Sequence, residues 1–187
     1  MLSSTAVPSD DWFRNTTWNP GVEKAFFEKL ARARTQRDQY LAIQAITLAR
    51  HQPQAALQLV DHYFDTRNDE FHDVQALLAK VIAYETLDDR AEVIRAYKAI
   101  MAREAEFPKH KTTAYVEFPY MVAGDGIEDE YTFALQILEE RRDEPMFPLD
   151  RFMWHASYAL ISSRCGDRER AIEHAKLALA AAWSVEC

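Results

Sequence analysis

The side chains that could bind a metal are spread along this chain and rarely occur at a useful spacing. Two ligands on one helix face need to lie three or four residues apart. No two histidines meet this condition; they occupy positions 51, 62, 72, 110, 155 and 174. The best metal-like cluster is the acidic patch Asp65, Asp69, Glu70, His72 and Asp73. Because acidic residues favour the first turn of a helix, we interpret this patch as a solvated loop followed by a helix start. The sequence predicts no metal and no cofactor.

A cysteine nucleophile with a histidine base is the second chemistry that the residue types allow. Cys165 and His155 are ten residues apart on one predicted helix. That separation is nearly three helical turns, so the two side chains cannot meet through this helix alone. We therefore expect Cys165 to be a small core residue. The chain also has no phosphate-binding loop and no H-E-x-x-H, C-x-x-C or G-x-S-x-G sequence. These observations predict a protein that is not an enzyme.

Composition and charge exclude several classes of protein. The chain has 187 residues, and 48% of them are hydrophobic, which is enough for a packed core. A net charge of −8 disfavours nucleic acid as a partner, because an acidic surface repels phosphates. No apolar stretch is long enough to span a membrane, and the first residues do not form a signal peptide. We expect a cytoplasmic protein from a bacterium, with neither a nucleic acid nor a membrane as its partner.

Helical periodicity extends along nearly the whole chain and predicts an all-α fold of about nine helices. Asn19 and Pro20 are a typical helix start, with Asn as the N-cap and Pro at the first helical position. We expect Pro119 near the start of its helix for the same reason. Only four glycines occur, which disfavours β-barrels and sandwiches. Residues 1–18 are predicted to form a tail with an aromatic cap, followed by one domain over 19–187. Its antiparallel hairpins are expected at about 36–66, 68–106, 109–144 and 149–184.

The hairpins show an internal repeat in their second helices. The stretch Arg164–Ala182, RCGDRERAIEHAKLALAAA, has a turn at Gly166 and small residues at Ala171 and Ala178. Comparable apolar sets begin at positions 56, 93, 134 and 171, in steps of 37, 41 and 37 residues. A period of this length is typical of helical solenoids. We expect Ala171 and Ala178 to be close-packing contacts between helices.

With these residues the chain resembles the tetratricopeptide repeat family over residues 36–184. The resemblance implies antiparallel hairpins stacked as a right-handed superhelix, in which the first helix of each hairpin lines a concave groove. A protein or peptide partner would bind in that groove. The groove residues that the resemblance implies are Leu41, Leu78, Ile82, Glu85, Val116, Tyr120, Met153 and Arg164, together with Ala45 and Leu160.

The sequence favours a non-enzymatic protein-interaction module, whose partner binds the concave groove or an acidic face. The partner of the acidic face would be a basic protein, by charge complementarity. This face comprises Glu128, Asp129, Glu130, Glu139, Glu140, Asp143 and Glu144. A narrower hypothesis is an immunity-type or antitoxin-type inhibitor of a toxin. Two alternatives stay open: a helical-repeat enzyme or ligand-binding domain, and a structural homo-oligomer that stacks through its terminal repeats.

Overall fold

The computed structural model describes residues 11–144 and 147–184, and those residues form helices and connecting turns without a β-strand. The all-α prediction is therefore confirmed. Among the described residues, no helix combines the length and the apolar character needed to cross a membrane. The α-helices are α1 (Pro20–Leu30), α2 (Arg37–Leu48), α3 (Pro53–Thr66), α4 (Asp73–Thr86), α5 (Arg90–Glu106), α6 (Ala114–Asp125), α7 (Tyr131–Glu140), α8 (Pro148–Arg164) and α9 (Arg168–Trp183).

The chain divides into two compact units, Met1–His110 and Lys111–Cys187. In the first unit α2 pairs with α3, α4 pairs with α5, and α4 packs against both α2 and α3. In the second unit α6 packs against α7 and α8, and α8 pairs with α9. A single repeat domain over 19–187 stays a prediction. Residues 1–10 of the predicted tail lie outside the described residues.

The core of the first unit is closed at one end by the aromatic segment that precedes α1. Trp12 and Trp18 contact Phe26 of α1, with ring centroids 5.5 and 5.4 Å apart, which confirms the expected aromatic cap on the first helix. The buried Gln44 side chain of α2 fixes this segment. Its amide donates to the Asn15 carbonyl at 2.7 Å and its Oε1 accepts from the Asn15 backbone at 2.9 Å. A buried amide with both functions satisfied holds the segment in one position.

Local signals explain where several helices begin. The Asn19 side chain accepts hydrogen bonds from the backbone N–H groups of Gly21 and Val22, and α1 begins at Pro20 as predicted. Pro119 differs from the expectation, because it is the sixth residue of α6 and lies in the helix interior. A proline there has no N–H to donate to the carbonyl one turn earlier. The helix begins at Ala114, earlier than the position of the proline suggested.

The turns before α5 and α9 have the same construction. Asp88 and Gly166 both have a left-handed backbone conformation, with φ of 57° and 81°. The next residue in each turn, Asp89 or Asp167, donates its N–H to the carbonyl five residues earlier and caps the following helix with its side chain. This arrangement satisfies the last carbonyls of one helix and the first N–H groups of the next.

Replacing Gly166 with alanine is expected to lower the free energy of unfolding by about 1 kcal/mol, because alanine is strained at a positive φ. Replacing Gly124, which lies inside α6, is expected to raise it by about 0.5 kcal/mol, because alanine is the better helix former. A Cβ at either position meets no atom within 4 Å, so packing does not differ between them. Urea unfolding of both variants measures the difference. Changes of the same sign would contradict the assigned turn.

Candidate functional site

Within the acidic patch that resembled a metal site, Asp73 is the centre of a buried ion-pair network, whereas the other acidic side chains are exposed. Asp73, the first residue of α4, is buried. Its Oδ1 lies 3.0 Å from Nε of Arg67 and its Oδ2 lies 2.7 Å from a guanidinium nitrogen of Arg103. The Tyr63 hydroxyl donates to Asp73 Oδ1 at 2.8 Å. The expectation of a solvated patch is wrong at Asp73, because two cations and a hydroxyl from α3 and α5 surround it.

This network connects α3, α4 and α5 through Tyr63, Asp73 and Arg103. Arg103 of α5 also contacts Glu70 at 3.1 Å and Glu106 at 2.5 Å. Burial and the hydrogen bond to Asp73 raise the pKa of Tyr63, which therefore stays protonated and keeps donating. Within the described residues, no group of three or more His, Cys, Asp or Glu side chains could hold a metal ion. The acidic patch is thus a structural element of the first unit.

Two histidines that are distant in sequence meet in the second unit. His155 of α8 and His174 of α9 have their Nδ1 atoms 3.1 Å apart. A hydrogen bond between these atoms requires one ring to donate and the other to accept. At least one of the two rings must therefore be neutral while the bond exists. Burial lowers the pKa of both histidines; His174 lowers that of His155 further, and Arg170 lowers that of His174. Glu173 opposes the shift in both rings.

Aromatic stacking encloses the histidine pair. The Tyr158 ring stacks on the His174 ring, with ring centroids 4.6 Å apart. The rings of Trp154 and Tyr158 are also in contact, with centroids 4.5 Å apart. The Tyr158 hydroxyl donates to Glu139 of α7 at 3.1 Å. Burial and this hydrogen bond raise the pKa of Tyr158 to about 12. The arrangement joins α7, α8 and α9 through neutral rings.

A small cavity opens beside the histidine pair. It measures about 250 Å³, and its lining is formed by Arg142, Asp143, Arg151, Trp154 and His155. No thiol or hydroxyl nucleophile lines it. Cys165 lies at the end of α8 and is exposed, so its prediction as a core residue is wrong. Cys165 is the C-cap residue of α8, so it lies where the helix ends.

Lowering the pH from 7.5 to 5.5 is expected to destabilise the second unit through the histidine pair. An unfolded histidine titrates near pH 6.5. Because the folded pKa values of His155 and His174 are lower, the unfolded chain binds protons first as the pH falls. The contribution of the pair to the free energy of unfolding is therefore fully present above about pH 6.5. It decreases as the pH falls, until the rings of the folded chain are protonated as well. Urea unfolding across this range measures the effect, and a His155→Gln/His174→Gln variant is the control. If the free energy of unfolding of the variant depends on pH as strongly as that of the wild type, the histidine pair is not the cause of the effect.

The second unit has an open apolar groove between α8 and α9. It encloses about 600 Å³. Alanines form much of its lining, and Leu160 and Ile172 are its large apolar residues. The complete lining is Ala159, Leu160, Ser163, Gly166, Arg168, Ala171, Ile172 and Ala175. Small residues on a helix pair let another helix approach closely.

Helix α9 presents an apolar stripe to solvent beside this groove. Of its described residues only Ala178 is buried, and Ala171 is half-buried. The expected close packing therefore holds at Ala178 and is incomplete at Ala171. The exposed fractions of Ile172, Leu179 and Trp183 are 47%, 55% and 70%. Exposed large apolar residues at helical spacing are typical of a contact surface.

The structure distributes the predicted groove residues over both units. Leu41 and Val116 have no exposed surface and are core residues, so neither can contact a partner. Leu78, Ile82 and Met153 are half-buried, whereas Glu85, Tyr120 and Arg164 are exposed. Leu41, Leu78, Ile82 and Glu85 belong to the first unit, and the other four belong to the second.

Tyr120 and Arg164, which were predicted to line the groove, are exposed but contact other helices of the second unit. The Tyr120 ring lies 6.0 Å from that of Phe152 of α8. Arg164 donates to the Ala123 carbonyl and to the Tyr131 hydroxyl, the latter at 3.1 Å. A cation at the end of α6 stabilises the negative end of the helix dipole. Arg164 thus holds α6, α7 and α8 together.

The outward stripe of α9 is a candidate site that was not predicted from the sequence. Its signal is present, because Ile172, Ala175 and Leu179 follow each other at steps of three and four residues. The same helix carries a second stripe of small residues that includes Ala171 and Ala178. The repeat pattern predicted helix contacts for the stripe with Ala171 and Ala178. It predicted no role for the outward stripe.

Comparison of the chain with protein-family models, with curated proteins and with solved structures found no match.

Proposed function

We propose that this chain is a protein-interaction module that binds a protein or peptide partner in the groove between α8 and α9. The observation that carries the proposal is the apolar surface of this hairpin, which combines a groove of about 600 Å³ with large exposed side chains. Helix-in-groove recognition uses such a surface, because an amphipathic helix buries its apolar face there.

The packing of two other hairpins, α2–α3 and α6–α7, supports this choice of surface. Helix α4 packs against both helices of the α2–α3 hairpin, and α8 packs against both helices of the α6–α7 hairpin. Each of these hairpins therefore has a further helix on it. Hairpin α8–α9, in contrast, has an open groove. A hairpin cannot bury both its faces alone, so this open apolar face favours a partner that covers it.

The acidic face is a weaker candidate for the binding surface because several of its charges are already compensated. Glu139 accepts from Tyr158 and lies 3.0 Å from Arg142. Glu144 forms ion pairs with Lys111 and Arg141. A basic partner would have to compete with these contacts, so the proposal places the partner in the apolar groove.

Affinity capture from the native host with a matched pair of variants tests the proposal. Ile172→Glu places a charge in the groove, while Leu149→Glu makes the same type of change at an exposed leucine of α8 outside the groove lining. We expect the wild type and Leu149→Glu to retain the same partner and Ile172→Glu to lose it. Circular dichroism checks that both variants fold. Equal capture by all three proteins would contradict the proposal.

A further inference from the structure

Two residues of the α8–α9 groove have buried counterparts in the α2–α3 hairpin if the repeat register predicted from the sequence is applied. In that register Ala171 corresponds to Ala56, and Ala175 corresponds to Val60. Ala56 and Val60 are buried in a hairpin against which α4 packs. Ala175, in contrast, is exposed and Ala171 only half-buried. Because α4 packs on the α2–α3 hairpin, a helix is the occupant that the α8–α9 groove fits.

The outward stripe of α9 is self-complementary about its midpoint. The stripe consists of Arg168, Ile172, Ala175, Leu179 and Trp183. An antiparallel copy of α9, related by a two-fold axis near Ala175, places Ile172 opposite Leu179 of the second copy. The same operation places Arg168 opposite Trp183, where a guanidinium can lie over the indole ring. The small side chain of Ala175 lies at the crossing point, where close approach of the helix axes requires it.

We infer that two copies of this chain form a two-fold symmetric dimer, in which α9 of each copy lies in the α8–α9 groove of the other. The inference rests on the proposed function, since it names the occupant of the same groove. A two-fold interface uses one surface patch twice, so the groove and the stripe of both copies contribute. Helix α9 has 16 residues and is therefore about 24 Å long.

The charges beside the stripe predict how the dimer responds to salt. Lys176 is exposed next to Ala175, so the two Lys176 side chains lie near the two-fold axis and repel each other. Screening by salt weakens that repulsion and leaves apolar burial in place. The dimer is therefore as stable or more stable when the salt concentration is raised. An assembly held by ion pairs between the acidic face and basic residues of a second copy would dissociate instead.

Sedimentation velocity on the full chain over a concentration series tests the inference. The wild type is expected to change from 21.6 kDa to twice that mass as its concentration increases. Leu179→Glu and Ile172→Glu are expected to weaken the dimer at least about tenfold, whereas Leu149→Glu leaves it unchanged. Far-ultraviolet circular dichroism checks that the variants fold. A wild type that is monomeric at every concentration, or that forms open-ended polymers, overturns the inference.

Disulfide trapping tests the antiparallel register. In a background without Cys165 and Cys187, Ala175→Cys lies near the two-fold axis and is expected to cross-link two copies under mild oxidation. Arg168→Cys lies opposite Trp183 and is expected to remain monomeric. Cross-linking of Arg168→Cys without that of Ala175→Cys overturns the register.

The outcomes separate this inference from the proposed function. A monomeric wild type whose capture of another protein depends on Ile172 overturns the dimer and supports the proposed function. Sedimentation and capture that are both insensitive to Ile172→Glu overturn both.

Discussion

Replacing Asp73 with alanine is expected to lower the free energy of unfolding of the first unit by about 3 kcal/mol. The substitution removes the shared partner of Arg67 and Arg103 and leaves the Tyr63 hydroxyl without its acceptor. Loss of one partner from a buried ion pair is costly because the remaining groups keep their desolvation penalty. The value is at the low end of the usual range, since both arginines are partly exposed and still reach Glu70.

Urea unfolding measures this loss, and Glu70→Ala is the matched control. Glu70 contacts the same two arginines but is about half exposed, so its removal is expected to cost less than about 1 kcal/mol. Tyr63→Phe removes only the hydroxyl and is expected to cost about 1 kcal/mol. If Asp73→Ala and Glu70→Ala destabilise equally, the network is not organised around Asp73.

Replacing Ala178 with leucine is expected to lower the free energy of unfolding of the second unit by about 1–3 kcal/mol. Ala178 is the buried residue of α9, and α9 packs along α8. Extra methylene groups at a tight helix contact force side chains and backbone to shift. The midpoint of urea unfolding, measured at concentrations where the chain is monomeric, gives the change.

Ala175→Leu is the matched control for Ala178→Leu. Ala175 lies on the same helix less than one turn away but is exposed to solvent. A leucine there is expected to change the free energy of unfolding by less than about 0.5 kcal/mol. A larger cost at Ala175 than at Ala178 would mean that the faces of α9 are assigned the wrong way round.

Much of the secondary structure could be predicted because its signals are local. Asn19 and Pro20 start α1, and the left-handed Gly166 followed by Asp167 ends α8 and starts α9. In each case a few consecutive residues satisfy the free N–H and carbonyl groups at a helix end. Pro119 is the exception, since a proline in a helix interior is tolerated only where the surrounding packing compensates for it.

The candidate site could be predicted only in part. Spacing identified the terminal hairpin and its small residues, but the two faces of α9 carry similar apolar patterns. The sequence alone does not show which face α8 covers. Leu41 and Val116 have the spacing expected of groove residues, yet both are buried. Helical periodicity identifies an apolar face, and only packing decides whether that face is core or surface.

The sequence by itself determined the helical class and the hairpin turns, because each depends on residues within one or two helical turns. Only the tertiary structure decided that Asp73 forms an ion pair with Arg103, thirty residues further along the chain. The same holds for the contact between His155 of α8 and His174 of α9. The tertiary structure also decided that Ile172 and Leu179 face solvent. These three outcomes depend on which helix faces come together. That choice is made by the burial of whole faces against each other, and no short stretch of sequence encodes it.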